Sequence, residues 1–162
     1  MAGLELKVPP PLVGLACALV MKGIALGGTE ALAPGPADAL SVGWPLLRVV
    51  AVALVLAGLA IDVVGVLSFR RARTTINPLK PANSSALVTS GIYGLTRNPM
   101  YLGMATLLLG WAAWLGTPWA LAGVALFVAW ITRFQIVPEE RVLARLFGAD
   151  FEAYRARVRR WI

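Results

Sequence analysis

Arg97-Asn98-Pro99-Met100-Tyr101-Leu102-Gly103 places a guanidinium, an amide and a phenol at the mouth of an apolar segment, and Glu139-Glu140 stands just past the last apolar segment. Such groups can hold a small molecule of mixed charge. Carboxylates attract its cationic parts, arginine grips a carboxylate bidentately, and aromatic faces stabilise cations. Each motif also has a plain structural reading. Asparagine is a good helix N-cap and proline suits the first helical position. Acids after Pro138 suit the first turn of a helix through its dipole. Neither reading accounts for Arg97 or Tyr101. Arg133, near the end of the fourth apolar segment, either snorkels to headgroups or clamps an anionic acceptor. Asp62 lies inside the second apolar segment, where an ionisable group is a functional candidate by default. A pairing with Arg70, about two turns on, is the alternative. Gly91-Ile92-Tyr93-Gly94 precedes the first motif, and glycine permits close backbone approach to a ligand.

The surroundings of these residues are those of a membrane protein. The chain has 162 residues, is 59% hydrophobic and has a mean hydropathy of +0.75. Only 14% of its residues are charged, against roughly a quarter in a soluble domain. One domain is expected at this length. Histidine is absent and Cys17 is the single cysteine, so no metal centre is expected, and the commonest general base at neutral pH is missing. The net charge of +7 comes from arginines that flank apolar segments. Anionic lipid headgroups and positive-inside topology explain that pattern better than nucleic acid does. The excess of Arg over Lys, with abundant Ala, Gly and Pro, suggests a high-GC prokaryote and its inner membrane.

Four apolar segments are legible, over about 11–26, 46–69, 99–115 and 118–136. A span needs about 17–25 residues, so the third is short and its polar start belongs at headgroup level. The first contains Lys22 and competes with a signal-peptide reading at Ala31-Leu32-Ala33. It lacks a basic start and Pro34 follows, which favours a retained helix. Gly116-Thr117-Pro118 is a tight turn that folds the third and fourth segments into a helical hairpin. The connection over 70–97 carries Arg70, Arg71, Arg73 and Lys80, with Asn77-Pro78-Leu79-Lys80-Pro81 too proline-rich for helix. In the tail over 138–160, Val142, Leu143, Leu146, Phe147, Phe151, Tyr154 and Val158 recur at helical spacing among arginines. Gly148 is expected to end one helix there and Asp150 to cap another. The fold class is therefore all-α: an integral membrane bundle of about four transmembrane helices with an amphipathic C-terminal helical segment. The positive-inside rule puts that segment, the middle loop and the amino terminus in the cytoplasm, with Arg48 a minor violation. Trp44, Trp111, Trp114 and Trp119 suit an aromatic belt.

The combination is sharper than its parts. Leu87-Val88-Thr89-Ser90-Gly91-Ile92-Tyr93 leads into the Arg97–Gly103 motif; an apolar hairpin follows, then Glu139-Glu140, Leu143, Phe147-Gly148, Phe151 and Tyr154. This order resembles the isoprenylcysteine carboxyl methyltransferase and phospholipid methyltransferase superfamily, over roughly 75–158. The resemblance implies a membrane enzyme that uses S-adenosylmethionine at the cytoplasmic face and releases S-adenosylhomocysteine. By that likeness Leu87, Val88, Gly91 and Tyr93 border the cofactor. Arg97, Asn98, Pro99, Tyr101 and Gly103 form the pocket edge, and Glu139 and Glu140 face its ammonium or ribose. Glu140 and Arg133 are the catalytic candidates, Arg133 as a clamp for an anionic acceptor. Asn98 stands where many members have histidine; it can donate and accept a hydrogen bond but cannot titrate. The acceptor would be lipophilic and come from the bilayer: a carboxylate of isoprenylcysteine type, a lipid amine or a thiol. Two other readings compete. Sterol reductases share a similar C-terminal pattern and bind NADPH, although this chain is short for their architecture. A scaffold or small transporter would bind no cofactor.

Overall fold

The computed structural model describes residues 4–27, 43–72 and 86–162. Ala31-Leu32-Ala33, Arg73 and the 77–81 segment with Lys80 lie outside the described residues, as does the Trp44 side chain. The elements run α1 (Pro10–Gly27), α2 (Gly43–Arg71), a 3-10 turn (Gly91–Gly94), α3 (Pro99–Leu115), a second 3-10 turn (Pro118–Ala120), α4 (Leu121–Ile131), a π-helical turn (Thr132–Ile136) and α5 (Val137–Arg157). Pro10–Gly27, Pro45–Arg71 and Pro118–Arg157 are long and apolar enough to cross a membrane, and Pro99–Leu115 is a shorter apolar helix. The protein is an all-α membrane bundle. At about 1.5 Å per residue, α3 is about 25 Å long, a little under the hydrocarbon thickness of ~30 Å, so its polar start reaches the interface. Leu56 and Leu59 on α2 are 62% and 49% exposed, as expected of a helix face that meets lipid.

Two expectations about the C-terminal third need correction. The helix that carries the fourth apolar segment does not stop before a separate helix; α4 runs through the π turn directly into α5. Pro138 sits in the first turn of α5, followed by Glu139 and Glu140, as the sequence predicts. Proline has no N–H for the carbonyl one turn back, and the Phe134 carbonyl instead accepts a hydrogen bond from the Leu6 N–H at 3.1 Å. The helical tail also ends sooner than residue 160. Val158 is extended, with φ −118° and ψ 130°, so the last residues form a strap. Gly148 does break the helix, at φ 49° and ψ −121°, a left-handed conformation that glycine adopts without strain.

The α2–α3 seam is built on small residues, which let membrane helices approach backbone to backbone. A Cβ on Gly58 would lie 2.8 Å from the Gly103 carbonyl oxygen, and one on Gly110 would lie 2.9 Å from that of Ala51. Asp62 lies in this seam, where a Cβ on Gly103 would overlap its carboxylate. Its buried Oδ1 has no hydrogen-bond partner, and among the described residues it makes no ion pair with Arg70. On the other side α1 packs against α3 and α4. Met21 nestles against Gly123, and the Trp111 indole donates to the Ala18 carbonyl at 3.1 Å. Met21, Phe127, Ile131 and Ile136 are fully buried there.

Candidate active site

The polar residues converge where α3 begins, α5 begins and the C-terminal strap returns. The approach is anchored by the 3-10 turn over Gly91–Gly94. Gly91 has a φ of 63°, so the turn needs glycine there. The Tyr154 hydroxyl donates to the Tyr93 carbonyl at 2.7 Å, and the Tyr93 ring meets Phe69 of α2 edge-on, with centroids 5.2 Å apart. Burial pushes the Tyr154 phenol up to about 12 and that of Tyr93 higher still. Neither is a base or an acid near neutral pH. Leu87 and Val88 are half-buried on the way into this turn, and Gly91 is exposed.

Asn98 does not cap α3 with its side chain. Its Nδ2 donates instead to the Arg160 carbonyl at 2.9 Å, while the Thr96 hydroxyl donates to the same oxygen at 3.3 Å. The Arg97 N–H donates to the Arg159 carbonyl at 3.0 Å. The strap is therefore stitched to the start of α3 by three residues in a row. Pro99 is buried at the helix start.

Two carboxylates in successive positions have different environments. Glu140 receives Arg97 Nη2 at 2.8 Å on Oε1, Arg160 Nε at 3.0 Å on Oε1 and Arg160 Nη2 at 2.8 Å on Oε2. The side chains of Arg97, Glu140 and Arg160 are 9%, 13% and 37% exposed, so Arg160 is the outer member. Burial lowers the Arg97 pKa against the pull of Glu140, and the hydrogen bonds to Glu140 raise that of Arg160. Glu139, beyond the apolar stretch, is held by neutral donors: Tyr101 Oη at 2.5 Å and Gln135 Nε2 at 3.1 Å, both on Oε1. Burial raises its carboxyl to about 7, outweighing those two bonds. The site thus has a cationic pole, two guanidiniums against one carboxylate, beside an acidic one.

The raised value has a consequence for stability. The folded protein holds the Glu139 proton more firmly than the unfolded chain does. Its contribution is fully present below the ordinary carboxylate value and is lost as pH rises from there through about 7. Thermal melts of the apo protein across pH 4–8 should show that decline, and Glu139→Gln should flatten it. An unchanged slope in the variant would assign the decline to another group.

Of the residues singled out in the sequence, Tyr93, Arg97, Asn98, Tyr101, Glu139 and Glu140 are brought together. Gly103 faces the α2 seam instead. Arg133 is 50% exposed and paired with Glu5 at 3.0 Å, and Glu5 also takes Arg141 at 2.7 Å. The structure does not bring Arg133 to the carboxylates. Gln135, Thr96 and Arg160 join the site unforeseen. Gln135 had a signal, since it precedes Glu139 by one helical turn. Arg160 had none, because the tail holds many arginines of the same appearance.

This geometry sits within a recognised sequence family. The family model described as phospholipid methyltransferase matches residues 46–150, well over half of the chain. The protein belongs to the phospholipid methyltransferase family. As a phospholipid methyltransferase family member it is also 43% identical to an uncharacterized protein of Haemophilus influenzae over 63 residues, which are 39% of this chain and the whole of that relative. No solved structure matches. The family match takes in α2, α3, α4 and the first part of α5, including the Arg97, Tyr101 and Glu139-Glu140 positions. It leaves α1 and the strap outside.

Proposed function

We propose that the protein transfers a methyl group from S-adenosylmethionine to a lipophilic acceptor at the cytoplasmic face of a prokaryotic inner membrane. The observation that carries this reading is the junction of Tyr101–Glu139 with Arg97–Glu140–Arg160 at the polar end of a short apolar helix, in a chain of this family. The residues fit the cofactor. It bears an ammonium, a carboxylate and a sulfonium, and the cluster offers an acidic pole, a cationic pole and an aromatic ring side by side. Arg97 Nε, buried without a partner, is a donor in want of an acceptor. When bound, the cofactor supplies an electrophilic methyl group for in-line displacement, whose rate rests mainly on alignment.

The protein's own part is holding and shielding. Tyr101 is fixed by its bond to Glu139, so its ring is presented in one orientation. Asn98 secures the strap and moves no proton. A carboxylate or thiolate acceptor needs no general base, so the absence of histidine is no obstacle. The acceptor, whether a carboxylate of isoprenylcysteine type, a lipid amine or a thiol, would reach the site from the bilayer beside α3 and α4. Arg70, Arg71 and the basic tail support the cytoplasmic assignment. Arg133 would hold the acceptor only if that acceptor is anionic and draws it from Glu5, its partner at 3.0 Å. Arg133→Ala should then cut turnover of a carboxylate acceptor at least about 10-fold and spare donor binding. Unchanged turnover would remove Arg133 from the mechanism. The reading as a whole is tested by methyl transfer from the cofactor in detergent to a panel of prenyl-acid, lipid-amine and thiol acceptors. Transfer to none of them would count against it.

A further inference from the structure

The carboxylate pair is expected to face the ammonium of the donor, but the hydrogen bonds divide the two acids differently. Both oxygens of Glu140 are already engaged by guanidinium donors at 2.8–3.0 Å. Three of its roughly four lone-pair sites are taken, so an arriving ammonium would meet one remaining acceptor site, crowded by two cations, on a carboxylate only 13% exposed. An anion faces no such obstacle. Arg97, Arg160 and Glu140 together carry one surplus positive charge. A guanidinium has five N–H donors; in these bonds Arg160 uses two, both to Glu140. Arg97 uses two, one of them a long 3.5 Å contact to the Arg155 carbonyl, while its Nε is buried and unpartnered.

The second line of support is the strap that delivers Arg160. Its backbone is pinned by Asn98 and Thr96 at the Arg160 carbonyl and by the Arg97 N–H at the Arg159 carbonyl. The Trp161 indole donates to the Thr132 hydroxyl at 3.2 Å on the far side. Arg160 is thus the outermost arginine of the cluster at 37% exposure, yet its backbone is held in place before any ligand arrives. Preorganisation of that kind lowers the cost of binding. Glu139, one position away, keeps only neutral donors and is the acid left for a cation.

We infer that Arg160 of the C-terminal strap is a ligand-binding residue that, with Arg97, receives the carboxylate of the amino-acid part of the donor, Glu140 being the shared anchor of both guanidiniums. This rests on the methyltransferase reading. It assigns a role to a segment beyond the family match.

The test is calorimetric titration of the full chain in detergent with two ligands: S-adenosylhomocysteine and its decarboxylated analogue, which keeps the ammonium and lacks the carboxylate. Wild type should bind S-adenosylhomocysteine about 10- to 100-fold more tightly than the analogue, the range for charge-assisted hydrogen bonds. Arg160→Ala should weaken S-adenosylhomocysteine by a similar factor and leave the analogue within about 2-fold. Arg160→Lys, which keeps the charge without the planar fork, should fall between and carries the same comparison should the alanine variant not fold. Equal weakening of both ligands would make Arg160 a structural residue and overturn the inference while leaving the methyltransferase reading intact. So would no weakening of either. Wild type binding neither ligand would overturn both.

Discussion

Glu140→Ala should lose saturable donor binding and destabilise the protein by about 3 kcal/mol, the lower end for breaking a buried ion pair by removing one partner. The reason is what the carboxylate leaves behind. Arg97, 9% exposed, would keep its charge with no other ion-pair partner among the described residues, and Arg160 would lose both bonds that hold its side chain. Arg160, at 37% exposure, can turn to water, which is why the lower end is expected. Glu140→Gln retains an acceptor oxygen and should cost less than the alanine variant. Unfolding in detergent, followed by tryptophan fluorescence, gives the stability, and titration with S-adenosylhomocysteine gives the binding. A Glu140→Ala protein with wild-type melting and wild-type affinity would show that this ion cluster neither holds the junction nor serves the ligand.

Gly103→Leu should be at least as damaging, for a reason unrelated to chemistry. The new side chain would project into the α2–α3 seam. A Cβ there overlaps the Asp62 carboxylate and lies 2.8 Å from the Gly58 carbonyl oxygen. Part of that obstruction is backbone and cannot rotate away, so the two helices must separate. Overpacking a core typically costs about 1–3 kcal/mol, and a clash with backbone should exceed the upper figure. Gly23→Ala provides the control: nothing lies within 4 Å of a Cβ there, and no destabilisation is expected, since alanine is favoured over glycine inside a helix by about 0.5–1 kcal/mol. Equal melting of the Gly103→Leu and Gly23→Ala proteins would mean that the seam is not close-packed.

The Gly103 case shows how far sequence reading reaches and where it stops. The helices themselves were legible because lipid demands apolar segments of a set length, and 99–115 coincides with α3 to the residue. The site motif was legible because charge beside an apolar segment needs a reason. Gly103 was assigned to the pocket edge with its neighbours, yet the helix turns it toward α2, and no pattern within one helix says which neighbour lies on which side. The unbroken join of α4 to α5 was not legible for a different reason. Proline normally interrupts a helix, but here a donor from Leu6, more than a hundred residues away in sequence, satisfies the carbonyl it leaves open. Arg160 was hidden for a third reason. Its role depends on the chain turning extended at Val158 and coming back to Asn98, a long-range fact that periodicity cannot encode. Arg133 was chosen for its depth in the span, and Glu5, from the opposite end of the chain, claims it.

If this junction holds a methyl-donating sulfonium cofactor, the purified wild-type protein in detergent must bind S-adenosylhomocysteine, and titration with that ligand is the decisive experiment. A saturable isotherm with one ligand per chain is expected, together with a melting temperature that rises with ligand concentration; NADPH should give neither. A flat titration with S-adenosylhomocysteine, or saturation by NADPH in its place, would show that the junction holds no such cofactor.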